Sequence, residues 1–509
     1  IGLGIPAEPL FRSSYAHQSK MGDMQRMSYQ MVNAMSVDIM DDVLSDTKEY
    51  IQKLKNDDET FFEFLQRNAN FMSDYEVLLA LCRHNPEFVK SDYFRERRKI
   101  IIANYLLDIK TGHIVQNGDN LVIVGSPYAM LLHSVGENVL NDPTFETEDG
   151  TVQCYTARFE DGEYLAEFRS PFNSCHNLGY LHNVYHPIWN KYFNLGKQII
   201  AVNMIGTDFQ DRNNGSDQDS DSIYVTNQCN IVERAKYCYA NYATIVNNIP
   251  KEKNIYDNSL YNQAIIDNKL AASQRDIGES TNVAQVCLSY WHTTGDEKYG
   301  AYADALAVLC QCSIDGTKRA YAVTVSEEVK RIKTEIDIKK NGYPAFWRDI
   351  RRDCNKNLIN YNLKCPMNAV HSLTIGKSNY KNDTIPISEY YISHPNDETQ
   401  KRSKAIEGLI EKYSIKLFNF QQDKKRNDDD YLLLRSDYED LLEDIRKISM
   451  PNKYVGLMSW LVNRCFMMTP NMISNRDRIQ SRLSKNRPLL LKILYDLNPN
   501  LLLKCFKKG

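Results

Sequence analysis

The chain has 509 residues, of which 42% are hydrophobic and 25% are charged, and its formal net charge is −3. Its length is enough for about two to four domains, and its composition is that of an ordinary globular protein. The charge balance excludes a uniformly basic nucleic-acid coat, so any basic groove has to be local.

The sequence predicts neither a transmembrane helix nor a secretory signal. No uninterrupted apolar run reaches the ~18 residues that a spanning helix needs, so we expect no membrane partner. The N-terminal stretch IGLGIPAEPLFRSSYAHQSK has no basic region before an apolar core. The 12 cysteines are scattered without a CxxC pattern, which predicts free thiols in a reducing, cytoplasmic compartment.

The first predicted elements are helices, followed by short strands. Residues 22–110 carry apolar residues at helical spacing behind Asp or Ser caps, for example in DDVLSDTKEYIQKLKN and DYEVLLALCRHN. Between 111 and 230, β-rich runs alternate with Gly, Asn, Asp and Pro, which predicts a small closed or rolled β-domain. These runs are GHIVQNG, NLVIVGS, AMLLHSV, TVQCYTARF, EYLAEFR, QIIAVNMIG and DSIYVTN.

Helices are predicted again in the second half of the chain. A helical domain is expected over 231–420, with NQAIIDNKLAASQ and ESTNVAQVCLSYW among its amphipathic stretches. The polar run QQDKKRNDDD at 421–430 predicts a solvated loop or linker, and 431–509 predicts a C-terminal helical region. No internal repeat is visible.

The most informative segment is NNGSDQDSDSIYV, residues 213–225, which places Asp217, Asp219 and Asp221 at every second position. In an extended segment these side chains point to the same side. Three unpaired carboxylates would repel one another, whereas a bound Mg²⁺ removes that repulsion, because hard cations prefer carboxylate oxygens. Mn²⁺ is a second candidate ion.

Two other interpretations compete with a magnesium site. A solvated acidic loop explains the composition equally well. A calcium-binding loop of EF-hand type fails, because Ser222, Val225 and Gln228 occupy positions that need Gly, a ligand and Glu. The acidic cluster (Asp217, Asp219 and Asp221) does not by itself distinguish a solvated loop from a catalytic metal site.

The surroundings of the cluster resemble the two-barrel RNA polymerases, which include multisubunit, RNA-silencing and phage enzymes. Their signature is D-x-D-G-D, and Ser220 stands where that family usually has Gly. Four further segments are similar in the same order along the chain. These are SYQMVNAMSVDIMDDVL and EFRSPFNSCHN before the cluster, and DIGESTNVAQVCLSYW and LAVLCQCSIDGTKRA after it.

The resemblance implies an α+β fold in which a double-psi β-barrel catalytic domain, at 111–230, is embedded between helical domains. Residues 22–110 would be the helical spacer between two barrels. Residues 1–21 would be a remnant of the upstream barrel, whose remainder has to come from further upstream or from a partner.

The implied activity is template-directed RNA synthesis from nucleoside triphosphates, with Mg²⁺ held by the acidic cluster and nascent RNA as the acceptor. Arg169, Lys318, Arg319 and Lys20 would contact phosphate or template. Similarity to silencing enzymes indicates an RNA template and similarity to phage enzymes a DNA template; our interpretation favours DNA. The alternatives are a non-catalytic nucleic-acid-binding or assembly half of a polymerase, and a metal-dependent phosphodiesterase.

Two further patterns are less specific. A zinc site could be formed by Cys175, His176, His182 and His186, but no second Cys pair exists, and the Tyr, Leu and Trp residues around them favour a packed helix. His176 is instead predicted to orient the acidic residues. FRERRK (94–99) and FWRDIRR (346–352) interleave aromatic and basic residues, as a nucleic-acid channel or a solvated helix face would.

Overall fold

The structure is a computed structural model. It describes residues 24–146, 151–253, 256–316, 320–351, 354–376, 383–392, 400–422, 428–449, 455–466 and 487–509. The chain divides into two compact units, one made of the described parts of 1–50 and 105–374, the other of those of 51–104 and 375–509. The fold is mixed α+β. None of the described helices is both long and apolar enough to cross a membrane.

Helices dominate the segment before the barrel, as predicted. They begin behind side-chain caps: Asp57, for instance, accepts a hydrogen bond from the Thr60 backbone N–H at 2.9 Å. The elements are strand β1 (Met24–Arg26) and helices α1 (Tyr29–Asn33), α2 (Met40–Val43), α3 (Ser45–Asn56), α4 (Asp58–Asn68), α5 (Tyr75–His84) and α6 (Asp92–Lys110), with 3₁₀ turns at Val37–Ile39 and Pro86–Lys90.

Six strands close into a barrel. The sheet order is β1-β2-β6-β3-β5-β4-β7, and β2 also pairs with β7, which joins the two ends of the sheet. Strand β1 extends the sheet beside β2. The barrel strands are β2 (Val115–Val124), β3 (Val152–Tyr155), β4 (Tyr164–Phe168), β5 (Gly179–Asn183), β6 (Ile199–Val202) and β7 (Ser222–Thr226).

The barrel pairing has an internal two-fold relation. Strands β2 and β6 pair in parallel, as do β3 and β5. The pairs β2–β7, β3–β6, β4–β5 and β4–β7 are antiparallel. Exchanging β2 with β5, β3 with β6 and β4 with β7 reproduces the same set of pairs and directions. The barrel therefore consists of two equivalent halves of three consecutive strands each.

Alternate residues of the strands fill the barrel interior with apolar side chains, because side chains alternate between the two faces of a strand. The interior cluster includes Leu121, Ile123, Val152, Cys154, Leu165, Leu181, Ile200, Val202, Ile223 and Val225, all of which are buried. A smaller cluster of Phe145, Tyr155, Trp189 and Ala201 packs outside it.

Two predictions for the barrel region were wrong. The run AMLLHSV is helical, in α7 (Pro127–Ser134), because Ser126 caps the Ala129 backbone N–H at 3.2 Å and Pro127 suits the first helical position. The segment around His182, expected to pack as a helix, contains β5. Short turns complete the region: 3₁₀ turns at Val139–Asn141 and Cys175–Asn177, a π-helical turn at Trp189–Phe193, and helix α8 (Phe209–Arg212).

Helices return after the barrel, as predicted. The longest described helix, α10, contains two stretches that the sequence showed separately; it begins behind Ser259 and ends at Gly295, whose φ of 68° suits a helix C-cap. The elements here are α9 (Cys229–Asn241), α10 (Leu260–Thr294), α11 (Glu297–Asp315), α12 (Val325–Glu335), α13 (Ile338–Asn341), β8 (Tyr343–Pro344), α14 (Trp347–Ile350), β9 (Ile359–Asn360) and α15 (Pro366–His371), with a 3₁₀ turn at Lys356–Leu358.

The C-terminal segments are also helical where they are described. Of the predicted loop QQDKKRNDDD, residues 421–422 and 428–430 are helical and 423–427 lie outside the described residues. The elements are a 3₁₀ turn at Ile387–Glu389 and helices α16 (Gln400–Gln422), α17 (Asp428–Ser449), α18 (Val455–Phe466), α19 (Arg487–Leu497) and α20 (Pro499–Leu503).

The closure of the barrel between β2 and β7 depends on Gly118. A Cβ atom there would lie 2.6 Å from the Tyr224 hydroxyl oxygen and 2.7 Å from the Val225 carbonyl oxygen. We therefore expect Gly118→Ala to lower the free energy of unfolding by about 1–3 kcal/mol, as overpacking does. Urea unfolding measures it.

The matched control is Gly278→Ala in helix α10, where an added Cβ meets open space. It should raise stability by about 0.5–1 kcal/mol, the difference between Ala and Gly in a helix. Equal stability of the Gly118→Ala variant and the wild type would contradict the close approach of β7 to β2.

Candidate functional site

The three aspartates lie on the loop between β6 and β7. We call residues 213–221 the acidic loop. The carbonyl of Asp221 accepts a hydrogen bond from the Ile123 backbone N–H at 2.9 Å, which fixes the end of the loop to strand β2. One carboxylate oxygen from each of Asp217, Asp219 and Asp221 lies within 4.8 Å of the others. The three side chains therefore converge, although the segment is not extended as predicted: residues 218–220 form a bend, and Ser220 has a φ of 103°.

Arg169 holds the acidic loop at two points. Its Nη2 donates to Oδ2 of Asp221 at 2.7 Å, and its Nη1 donates to the backbone carbonyl of Asn213 at 2.9 Å. The backbone N–H of Asp217 donates to the same Oδ2 of Asp221 at 3.0 Å. A fixed positive charge and a backbone dipole thus oppose the repulsion among the carboxylates.

Buried polar side chains hold the start of the acidic loop. Asn177 Nδ2 donates to the Arg212 carbonyl at 2.8 Å and to Asn214 Oδ1 at 3.1 Å. Arg212 Nη1 donates to the His176 carbonyl at 3.0 Å, and its guanidinium lies 4.5 Å from the ring centre of Tyr239. These side chains fix the backbone where the loop leaves α8, and they contribute no carboxylate to the cluster.

The loop backbone is unusual at several residues. The φ angles of Asn214, Gly215 and Ser220 are 52°, 71° and 103°, all in the region that favours glycine. A side chain at position 215 would also meet Gln311, because a Cβ added to Gly215 would lie 2.4 Å from Gln311 Nε2. Ser220 therefore has a strained backbone conformation, which a glycine would adopt without strain.

The donor set of the cluster fits a hard divalent cation. Oxygens that share a Mg²⁺ at ~2.1 Å lie at most ~4.2 Å apart, so side-chain shifts of under about 1 Å would bring the three carboxylates to ligand spacing. Asp219 is exposed and the other two are half-buried, so solvent reaches the cluster. In the described part of the chain, this is the one group of His, Cys, Asp and Glu with such a spacing.

The alternative zinc site does not assemble. His176 Nδ1 lies 2.5 Å from Asp304 Oδ1, and the His182 ring stacks on Tyr164 with ring centres 4.4 Å apart. Cys175 is buried, with the Arg234 guanidinium 3.6 Å from its Sγ. Of these residues, His176 supports the acidic loop, and it does so through its backbone carbonyl.

The basic and aromatic runs are used for packing. In FRERRK, Arg97 and Arg98 form ion pairs with Asp74 and Asp58, and Arg95 pairs with Asp383. In FWRDIRR, Phe346 and Trp347 are buried. Neither run offers its aromatic rings to nucleic-acid bases in this structure. Lys20, Lys318 and Arg319, the other predicted phosphate or template contacts, lie outside the described residues.

The residues that sequence reasoning missed are Asn213, Arg212 and Glu167. Glu167 is fully buried in β4, two residues from Leu165, and burial raises its pKa to about 8. The side-chain amide of Asn213 and the guanidiniums of Arg169 and Arg212 act in the opposite direction with smaller effect. The period-2 pattern of EYLAEF could have shown that Glu167 points inward with Leu165.

Comparisons with known proteins leave the family open. No family model and no curated protein match the chain. Among solved structures, the RNA-dependent RNA polymerase QDE-1 from Thielavia terrestris aligns with 13% sequence identity and a TM-score of 0.41. The alignment covers 94% of this chain and 55% of the other, so the chain spans about half the length of that polymerase. A likeness at this level carries no conclusion about activity.

The strain at Ser220 leads to a stability prediction. Ser220→Gly should raise the free energy of unfolding by about 1 kcal/mol, because a Cβ is disfavoured at positive φ. Denaturant unfolding of the variant and the wild type measures the difference. Ser222→Gly, two residues later at the start of β7, is the matched control and should lower stability by about 0.5–1 kcal/mol. A loss of stability in Ser220→Gly would contradict the backbone conformation described for the loop.

Proposed function

We propose that this chain carries the catalytic barrel of an RNA polymerase, in which the acidic cluster holds Mg²⁺ for nucleotidyl transfer. The observation that carries the proposal is the convergence of Asp217, Asp219 and Asp221 within 4.8 Å at the end of a closed barrel. A solvated acidic loop has no need to bring three carboxylates together, since repulsion favours their separation.

The barrel topology supports the finer assignment to the double-psi type. Such a barrel is built from two interlocked copies of one strand motif. In this barrel, the pattern of strand pairs is unchanged when strands β2, β3 and β4 are exchanged with β5, β6 and β7. The resemblance of the surrounding segments to the two-barrel RNA polymerases points in the same direction. On this proposal the second barrel comes from sequence upstream or from a partner.

In the proposed reaction, the 3′-hydroxyl oxygen of RNA forms a bond to the α-phosphorus of a nucleoside triphosphate. The bond to the β-phosphate oxygen breaks, pyrophosphate leaves, and the hydroxyl proton passes to solvent. Bound Mg²⁺ would supply charge stabilisation and a lowered pKa of the hydroxyl. The protein would keep the three carboxylates close together, and Arg169 would hold Asp221 in place.

Template and nucleotide contacts are proposed from the resemblance. Arg169, which holds Asp221 in the free protein, is proposed to contact a phosphate as well, and Lys318, Arg319 and Lys20 are proposed for the same task. A DNA template is favoured over RNA. Template identity is read by base pairing, so the protein carries no code for it.

The test is extension of a labelled, primed template by the full-length protein with Mg²⁺ and four nucleoside triphosphates, on DNA and RNA templates separately. Asp219→Asn should lower the rate at least about 100-fold, because it removes a charged metal ligand while keeping the shape of the side chain. Asp42→Asn, an exposed aspartate on α2, is the matched control and should leave the rate unchanged.

Product length separates the proposal from its competitors. Lengthening of the labelled strand supports polymerase activity, whereas shortening would establish a phosphodiesterase instead. Unchanged extension by Asp219→Asn would overturn the assignment of the cluster. Salt-sensitive nucleic-acid binding with no incorporation, even after upstream sequence is supplied, would establish a non-catalytic binding module.

A further inference from the structure

A cavity of about 500 Å³ opens beside helix α9, and none of its lining residues belongs to the acidic loop. Its walls come from the turn over residues 36–39, from α9 and the residue after it, from the end of α10 and from the start of α11. All of these lie in one compact unit of the chain. We call it the α9 cavity. Its size suits a small organic molecule, since ligand pockets in proteins measure roughly 300–1,000 Å³.

Three aromatic side chains line the α9 cavity. The ring of Tyr242 contacts both of the others, with its centre 6.2 Å from that of Tyr237 and 5.7 Å from that of Trp291. The ring planes are inclined by 81° and 61°, so the rings do not stack on one another. The Trp291 ring is fixed against Gly300, where an added Cβ would lie 3.2 Å from it. The lining is therefore a set of inclined aromatic rings.

The charge of the lining is negative. Asp38, Glu233 and Glu297 line the cavity together with the guanidinium of Arg234. Burial lowers the pKa of His292, another lining residue, to about 4, so its ring is neutral at pH 7. Three carboxylates thus face one cation among the described lining residues. A phosphate-bearing ligand would meet net repulsion in this cavity, whereas a cation would be attracted.

The carboxylates of the lining are open to a ligand. Among the described residues, none of the three forms an ion pair. Asp38 accepts a hydrogen bond from the Ser36 hydroxyl, and Glu297 accepts one from the indole Nε1 of Trp291 at 3.4 Å. Asp38, Glu233 and Glu297 are all exposed. Each carboxylate therefore keeps lone pairs for a cation that enters from solvent.

The guanidinium of the lining, in contrast, is engaged by the protein. Arg234 Nε donates to the Ala34 carbonyl at 3.3 Å, and its Nη2 lies 3.6 Å from Cys175 Sγ. The same guanidinium is 5.4 Å from the ring centre of Tyr237, within the range of a cation–π contact. One ring of the lining thus already holds a cation of the protein itself.

We propose that the α9 cavity binds a small organic cation through an alkylammonium group, which contacts the rings of Tyr237, Tyr242 and Trp291. The faces of aromatic rings attract such a group electrostatically, and inclined aromatic side chains are how proteins recognise quaternary ammonium ions. The carboxylates of the lining balance the charge of the ligand and accept hydrogen bonds where it carries N–H groups. The proposal does not depend on polymerase activity.

The experiment titrates two organic cations into the full chain by calorimetry. Choline carries a quaternary ammonium and spermidine carries primary and secondary ones. The comparison ligands are 3,3-dimethylbutan-1-ol, which is the uncharged carbon analogue of choline, and adenosine monophosphate. We expect at least one cation to bind with a dissociation constant below about 1 mM, and both comparison ligands to bind at least about tenfold more weakly, since they lack the cation–π contact.

Matched variants identify the site, because spermidine also has an affinity for other exposed carboxylates. Tyr237→Leu should weaken binding of the cation about tenfold, whereas Tyr261→Leu, on α10 and outside the cavity, should leave it unchanged. Glu233→Gln should weaken it about threefold or more, whereas Glu160→Gln, outside the cavity, should not. All four side chains are exposed, Tyr237 by 52% and Tyr261 by 76%, so we expect the variants to fold.

Three results would overturn the proposal. The first is no binding of either cation at millimolar concentration. The second is binding of the uncharged analogue or of adenosine monophosphate as tightly as the cations, which would show that the cavity does not select positive charge. The third is wild-type affinity in Tyr237→Leu or Glu233→Gln, which would place the bound cation elsewhere. No readout needs nucleotide incorporation, so failure of the polymerase proposal is a separate outcome.

Discussion

Repulsion among three carboxylates is the constraint that the rest of this structure has to satisfy. Unit charges near 4.8 Å repel by several kcal/mol at the effective dielectric of a protein surface, so a flexible loop would let them separate. Two features hold them together. Arg169 places a cation on Asp221, and the loop is fixed at its base by Asn177 and Arg212.

The barrel brings these two features to the same place. Strand β4 ends one residue before Arg169, and β7 begins one residue after Asp221, and the two strands pair with each other. Closure between β2 and β7 then adds the hydrogen bond from Ile123 to the Asp221 carbonyl. The corresponding connection in the other half of the barrel, between β3 and β4, is shorter and carries no such cluster. The two halves share a topology, and the converging carboxylates are confined to one connection.

Much of this could be predicted from patterns with a short period. The β-rich runs EYLAEFR and DSIYVTN predicted strands. A period of two also placed Asp217, Asp219 and Asp221 on one side of an extended segment, whereas the structure brings them together at a bend over 218–220. The run AMLLHSV was predicted wrongly, because apolar residues alone do not distinguish a short strand from a short helix. The residues that indicate a helix are Ser126, which caps it, and Pro127 at its first position. Strand β5 was missed because its inward positions include Gly179 and Asn183, which carry no apolar signal.

Properties that depend on contacts between distant segments could not be predicted. The positive φ of Ser220 could not be predicted, because a serine residue does not by itself indicate this backbone conformation. Arg169 was expected to contact phosphate or template, but its partner in the folded chain, Asp221, is 52 residues away. Contacts at that separation are fixed by strand pairing and leave no local pattern.

The placement of charge in this barrel follows one rule. Carboxylates that a cation can reach lie in the acidic loop, where Asp219 is exposed, whereas the carboxyl group that no cation pairs with lies inside. Ionised, Glu167 would add a negative charge beneath a cluster that already contains three, and it would compete for Arg169. Neutral, it leaves Arg169 to Asp221. The chain therefore keeps this acid where burial raises its pKa, and the carboxylates that converge lie in the loop that solvent reaches.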